Sequence, residues 1–188
     1  MSKKNKQAEW VPWNLRRTNP DIFYFKEEEH IPNSRLPVLI YRGVFHMDDD
    51  CCEKWLIEKF ITNKWIYNQD HTVFEYDHYY TNTHLVLGVC LGEGQLQIGG
   101  KLGITAHVEK GDVIVIPAGV ALRLASTGND FKLVAAYSFE GVPELRKGSA
   151  GDRPAADTTI ASTQLPLLDP ILGPEEGLLH IWNGVPYK

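Results

Sequence analysis

The stretch that decides the fold is Asp77-His78-Tyr79-Tyr80-Thr81-Asn82-Thr83-His84-Leu85, set between Phe74 and Tyr137. It runs into Leu85-Val86-Leu87-Gly88-Val89-Cys90-Leu91, which ends at Gly92. A second run, Val113-Ile114-Val115-Ile116, is opened by Gly111-Asp112 and closed by Pro117-Ala118-Gly119. Short β-branched runs bounded by Gly, Pro and Asp read as strands joined by tight turns. Several of them at short spacing read as an all-β barrel or sandwich.

Outward from this centre the strand rhythm continues. Gln95-Leu96-Gln97-Ile98 alternates polar and apolar, as a half-buried strand does. Ile104-Thr105-Ala106-His107-Val108 and Phe131-Lys132-Leu133-Val134-Ala135-Ala136-Tyr137 follow it. Upstream, Ile22 to Phe25, Val38 to Tyr41, Trp65 to Tyr67 and Thr72 to Tyr76 read as further strands, with Asn68, Gln69, Asp70 and His71 as an ordinary turn. Asp48 to Thr62 is the one strong helix, with Cys52, Trp55, Leu56, Phe60 and Ile61 on its apolar stripe and Asp48, Asp49 and Asp50 at its positive end. It is expected to cover an edge or an open end of the sheet. Gly148 to Thr159 reads as loop. The apolar tail from Leu165 to Trp182 must dock on its own barrel or on a second subunit. The expected organisation is an arm over 1–23, a barrel over 24–141 and a C-terminal extension over 142–188.

Composition narrows the function classes. Hydrophobic content of 43% and charged content of 23% suit a globular core rather than a disordered chain. A net charge of -5 argues against a nucleic-acid partner. No apolar run approaches the ~20 residues of a membrane span, and no signal-peptide pattern follows Met1. Cys51, Cys52 and Cys90 show no CxxC spacing and read as reduced thiols, which places the chain in the cytoplasm.

The centre resembles the first cupin motif, His-x-His, four residues, Glu, six residues, Gly, which falls on His78, Tyr80, Leu85 and Gly92. The second motif, Gly, five residues, Pro-x-Gly, two residues, His, falls on Gly111, Pro117, Gly119 and Leu122. With Pro32-Asn33, Leu36 to Gly43, His84, Asp169-Pro170 and Gly173-Pro174, the chain is most similar to the YjlB-type cupins. That resemblance implies a cupin double-stranded β-helix, a jelly-roll barrel with one or two short helices and extended arms. It also implies a homodimer.

In cupins the two His and the Glu of the first motif and the His of the second hold a divalent metal. Here only His78 remains, with Tyr80, Leu85 and Leu122 at the other three positions. His78 and Tyr80 share a strand face, which by the resemblance looks inward with Leu85, Leu87 and Leu122. The expected pocket is therefore apolar, with one imidazole and one phenol. The reading that follows is a small-molecule-binding or interaction barrel that has lost its metal ligands and needs no cofactor. The alternative is a metal-dependent oxygenase or isomerase that holds Fe, Mn, Ni or Zn with His78, Tyr80 and His84. A metal-free enzyme using His78 and Tyr80 as acid and base is a third reading.

Overall fold

The computed structural model describes residues 19–69, 71–138, 141–174 and 177–184. In chain order the strands are β1 Asp21–Phe23, β2 Val38–Tyr41, β3 Ile66–Tyr67, β4 Tyr79–Tyr80, β5 Leu85–Leu91, β6 Glu93–Ile98, β7 Ile104–Glu109, β8 Val113–Ile116, β9 Leu122–Thr127, β10 Lys132–Tyr137 and β11 Leu145–Arg146. The helices are α1 Asp49–Thr62, α2 Ala155–Ser162 and α3 Leu178–Asn183. A six-stranded sheet, β1-β2-β8-β5-β10-β3, faces a three-stranded sheet, β7-β6-β9, and β4 pairs with β11. All pairings are antiparallel. This is the jelly-roll architecture, and no described helix is long and apolar enough to cross a membrane.

The central strands are apolar on both sides because both faces of the larger sheet are covered. Val38, Ile40, Leu85, Leu87, Val89, Ile114, Ile116, Ala135 and Tyr137 point inward, where they meet Leu96, Ile98, Val108 and Leu122 of the smaller sheet. Leu39, Tyr41, Val86, Cys90, Val113, Val115, Val134 and Ala136 point the other way, against α1 and the tail. The smaller sheet has only one covered face, so β7 alternates Ala106 and Val108 inward with Thr105, His107 and Glu109 outward.

Helix α1 lies across the face of the large sheet, over β5, β10 and the edge strand β3, so it covers an edge as expected. Gly88 leaves the groove that admits Leu56, whose Cδ atoms would lie 2.8 Å from a Cβ built there. Two other sequence expectations change. Residues 72–76 form no strand: Leu124 N–H bonds Phe74 C=O at 2.8 Å, but no ladder develops. The loop expected over Gly148 to Thr159 contains the start of α2, anchored by Arg153 to Asp157, to Glu27 and to the Glu28 carbonyl. A Pro-rich, Ala-rich composition concealed that helix, which depends on a long-range clamp.

The tail packs on this chain's own sheet. Trp182 Nε1 donates to Pro37 C=O at 3.0 Å, and Trp65 Nε1 donates to Leu168 C=O at 3.0 Å. Asp169, fully buried, organises the contact. It accepts from Tyr41 Oη at 2.5 Å and from the Ile171, Leu172 and Leu178 N–H groups at 2.8 Å each. Burial first, and then Asp169, push the Tyr41 phenol far above its ordinary pKa, so it stays a donor. Gly177, at φ 72°, passes so close to Asp169 that a Cβ would collide with its carboxylate. Asp169→Ala would orphan four buried donors, and denaturant melts should show a loss of about 3 kcal/mol or more. A loss under ~1 kcal/mol would show that the clamp is not needed.

Candidate functional site

The four positions that match the cupin ligand set do converge. His78 and Leu122 pair directly, His78 N–H to Leu122 C=O at 3.0 Å and Leu122 N–H to His78 C=O at 2.8 Å. His78, Tyr80, Leu85 and Leu122 line one void at the inner wall of the barrel, of about 10 Å³. That is room for a single water-sized group. Leu87 lies deeper in the same core.

His78 has no solvent exposure. Its Nδ1 lies 3.0 Å from the Tyr76 carbonyl, which can only accept, so Nδ1 carries the proton and Nε2 carries the lone pair. That Nε2 is buried and has no partner. Burial lowers the pKa of His78, although the Tyr76 carbonyl and Asp77 oppose the shift. Three aromatic rings stand around the imidazole: Phe74 at 5.1 Å, Tyr76 at 6.0 Å and Tyr80 at 6.2 Å between centroids. Phe74 and Tyr76 stack on each other at 4.9 Å, and Lys147 caps the Tyr76 ring.

Tyr80 belongs to a hydrogen-bonded line absent from the sequence reading. Tyr137 Oη donates to Tyr80 Oη at 3.0 Å, and His71 Nδ1 lies 2.8 Å from Tyr137 Oη. His71 Nε2 is a second buried nitrogen without a partner. Burial, and then the nearby His78, lower the His71 pKa to about 4. Burial and the Tyr137 hydroxyl raise the Tyr80 phenol well above its usual value, so it is neutral. His71 gave no periodic signal, because it follows a turn. Tyr137 did carry one, since it shares strand parity with the inward-facing Ala135.

His84 lies elsewhere. Its ring rests on Trp182 at 4.8 Å, on the side of β5 that faces the tail. Its Nδ1 accepts from the Ala118 N–H at 3.0 Å, and its Nε2 donates to Gln164 C=O at 3.1 Å. Both nitrogens are used, so His84 is a packing residue and does not join His78 and Tyr80. Asp77 is largely buried beside Arg123, with Oδ1 3.5 Å from Nε.

The donor set at the cupin positions is one imidazole and one neutral phenol already engaged by Tyr137. A bound divalent metal generally needs about three protein ligands, so these residues do not fit one. A separate group, Glu93, His107 and Glu109, brings donor atoms within 4.8 Å of one another on the exposed face of β6 and β7. All three side chains are solvated and none is held by a buried partner.

No protein-family model matches the chain. The chain is 33% identical over 162 residues to a Bacillus subtilis (strain 168) protein named "Uncharacterized protein YjlB", covering 85% of this chain and 94% of that one. Among solved structures, procruciferin, an 11S globulin from Brassica napus, aligns at 20% identity with a TM-score of 0.33, over 37% of this chain and 19% of that chain. Acireductone dioxygenase from Bacillus anthracis, solved with a cadmium ion in its active centre, aligns at 21% identity with a TM-score of 0.28, over 61% and 57% respectively. The chain therefore spans less than two thirds of either solved chain.

Buried neutral histidines give the protein an acid limit. The unfolded chain takes up protons near pH 6.5, whereas folded His71 and His84 resist until about pH 4. The stability they confer is complete above pH 6.5 and is lost as the pH falls toward 4. His84, 2% exposed, should alone account for about 3 kcal/mol of that loss. Urea melts at pH 7.5, 6, 5 and 4 measure this, and a flat profile would refute neutral burial.

Proposed function

The chain belongs to the YjlB family of cupin-fold proteins, and from that premise we propose that it is a small-molecule-binding barrel that works without a metal. The single observation that carries this reading is the pair of buried imidazole nitrogens without partners. They sit beside two hydrogen-bonded tyrosines in a core that is otherwise apolar. Buried polar atoms are normally paired, and an unpaired one marks strain or a place for a ligand. The ligand positions that became Leu85 and Leu122 fill the space a metal and its coordination sphere would take, and supply no donor.

The metal-dependent enzyme keeps one specific support. His78 Nδ1 is tied to a carbonyl, and that arrangement orients a ligating imidazole. Against it stands the shortage of ligands, since His84 is committed on the other side of β5.

Elemental mass spectrometry of tag-free protein, wild type beside His78→Ala, separates the two readings. Under the binding-barrel reading both proteins carry less than about a tenth of an equivalent of Fe, Mn, Ni or Zn. Near-stoichiometric metal in the wild type, lost in the variant, would overturn it and return Tyr80 to the role of ligand.

A further inference from the structure

We propose that the ligand this barrel takes is a neutral molecule with an O–H or N–H donor next to a carbonyl, the chemistry of an α-hydroxyketone or a primary amide. The proposal rests on the binding-barrel reading and specifies what the site recognises. His78 Nε2 and the Tyr80 hydroxyl read the two halves of that pair.

The acceptor half comes from the tautomer of His78. With the proton held on Nδ1 by the Tyr76 carbonyl, Nε2 offers only a lone pair. It is enclosed and has no protein donor within reach. A ligand O–H or N–H placed there would satisfy a group that is otherwise desolvated for nothing.

The donor half comes from Tyr80. Its oxygen already accepts from Tyr137 Oη at 3.0 Å, so its own hydrogen remains to be given. The line from His71 through Tyr137 keeps that polarity, because Tyr137 can accept from His71 Nδ1 while it donates to Tyr80. His78 and Tyr80 line the same void and their rings stand 6.2 Å apart between centroids, so one small molecule can reach both the imidazole and the phenol. A ligand that matches them carries a donor and an acceptor on the same carbon or on adjacent carbons.

Charge decides against an anion. The void is lined by His78, Tyr79, Tyr80, Thr83 and aliphatic residues, with no lysine or arginine among them. Lys147 sits 4.5 Å from the centroid of the Tyr76 ring, and Arg123 faces the Asp77 carboxylate at 3.5 Å. Both imidazoles are held neutral by burial. A carboxylate or a phosphate would thus lose its hydration and gain no counter-charge. At about 10 Å³ the void admits a ligand only if the surrounding aromatic side chains give way, so a small probe is the right one.

The test titrates hydroxyacetone, methoxyacetone and acetate into the full-length protein with ¹⁵N-labelled histidine, read by NMR at the His78 Nε2 resonance. Hydroxyacetone should shift it saturably toward the hydrogen-bonded range. Methoxyacetone, which lacks the donor, and acetate, which is charged, should bind at least about tenfold more weakly. Tyr80→Phe, near-isosteric and therefore expected to fold, should weaken hydroxyacetone by about tenfold while the His78 resonance stays in place without ligand. Equal binding of methoxyacetone or acetate at His78 would overturn the ligand class and leave the barrel a binding module. An unmoved His78 resonance with all three probes would overturn the proposal itself, and the metal measurement would still judge the binding-barrel reading independently.

Discussion

The rest of the structure depends on one constraint: the six-stranded sheet is apolar on both faces, and both must be covered. Leu85, Leu87 and Val89 require a roof on one side, and Val86 and Cys90 require one on the other. The three-stranded sheet supplies the first. Helix α1 and the C-terminal tail supply the second. A tail without regular secondary structure over most of its length holds its place through Asp169, which turns four separate donors toward one carboxylate. Burying that charge is costly, and only its complete set of hydrogen bonds offsets the cost.

The same constraint shapes the site. With the outer face sealed, the polar groups that remain inside the barrel stand out against aliphatic packing. The jelly roll still brings the two motif regions together through the His78–Leu122 pairing, as the backbone geometry demands. Leu85 and Leu122 stand at two of the positions that match the cupin ligand set, and beside them two histidines and two tyrosines are linked by hydrogen bonds and ring contacts. Burial holds His71, His78 and Tyr80 uncharged.

Much of the fold was legible in short-range pattern. The apolar strands, their turns at Gly92, Gly99 and Gly111, and helix α1 followed from periodicity and from residues with special backbone preferences. What escaped has a common cause. Helix α2 rests on Arg153 reaching residues far away in sequence. The seat of α1 over the sheet face depends on an absent side chain at Gly88 meeting Leu56. Residues 72–76 have strand-like composition, and the structure offers them no ladder.

For the site the division is similar. The sequence by itself determined that His78 and Tyr80 share a face, that Leu85 and Leu122 cannot bind a metal, and that His84 has the opposite parity. Those are properties of residue type and of the two-residue period of a strand. Only the tertiary structure decided that His71 and Tyr137 join Tyr80, that His84 spends both nitrogens on backbone groups, and that His78 keeps a buried nitrogen without a partner. Each of these depends on which atoms come within three ångströms across long sequence separations, and no local pattern encodes that.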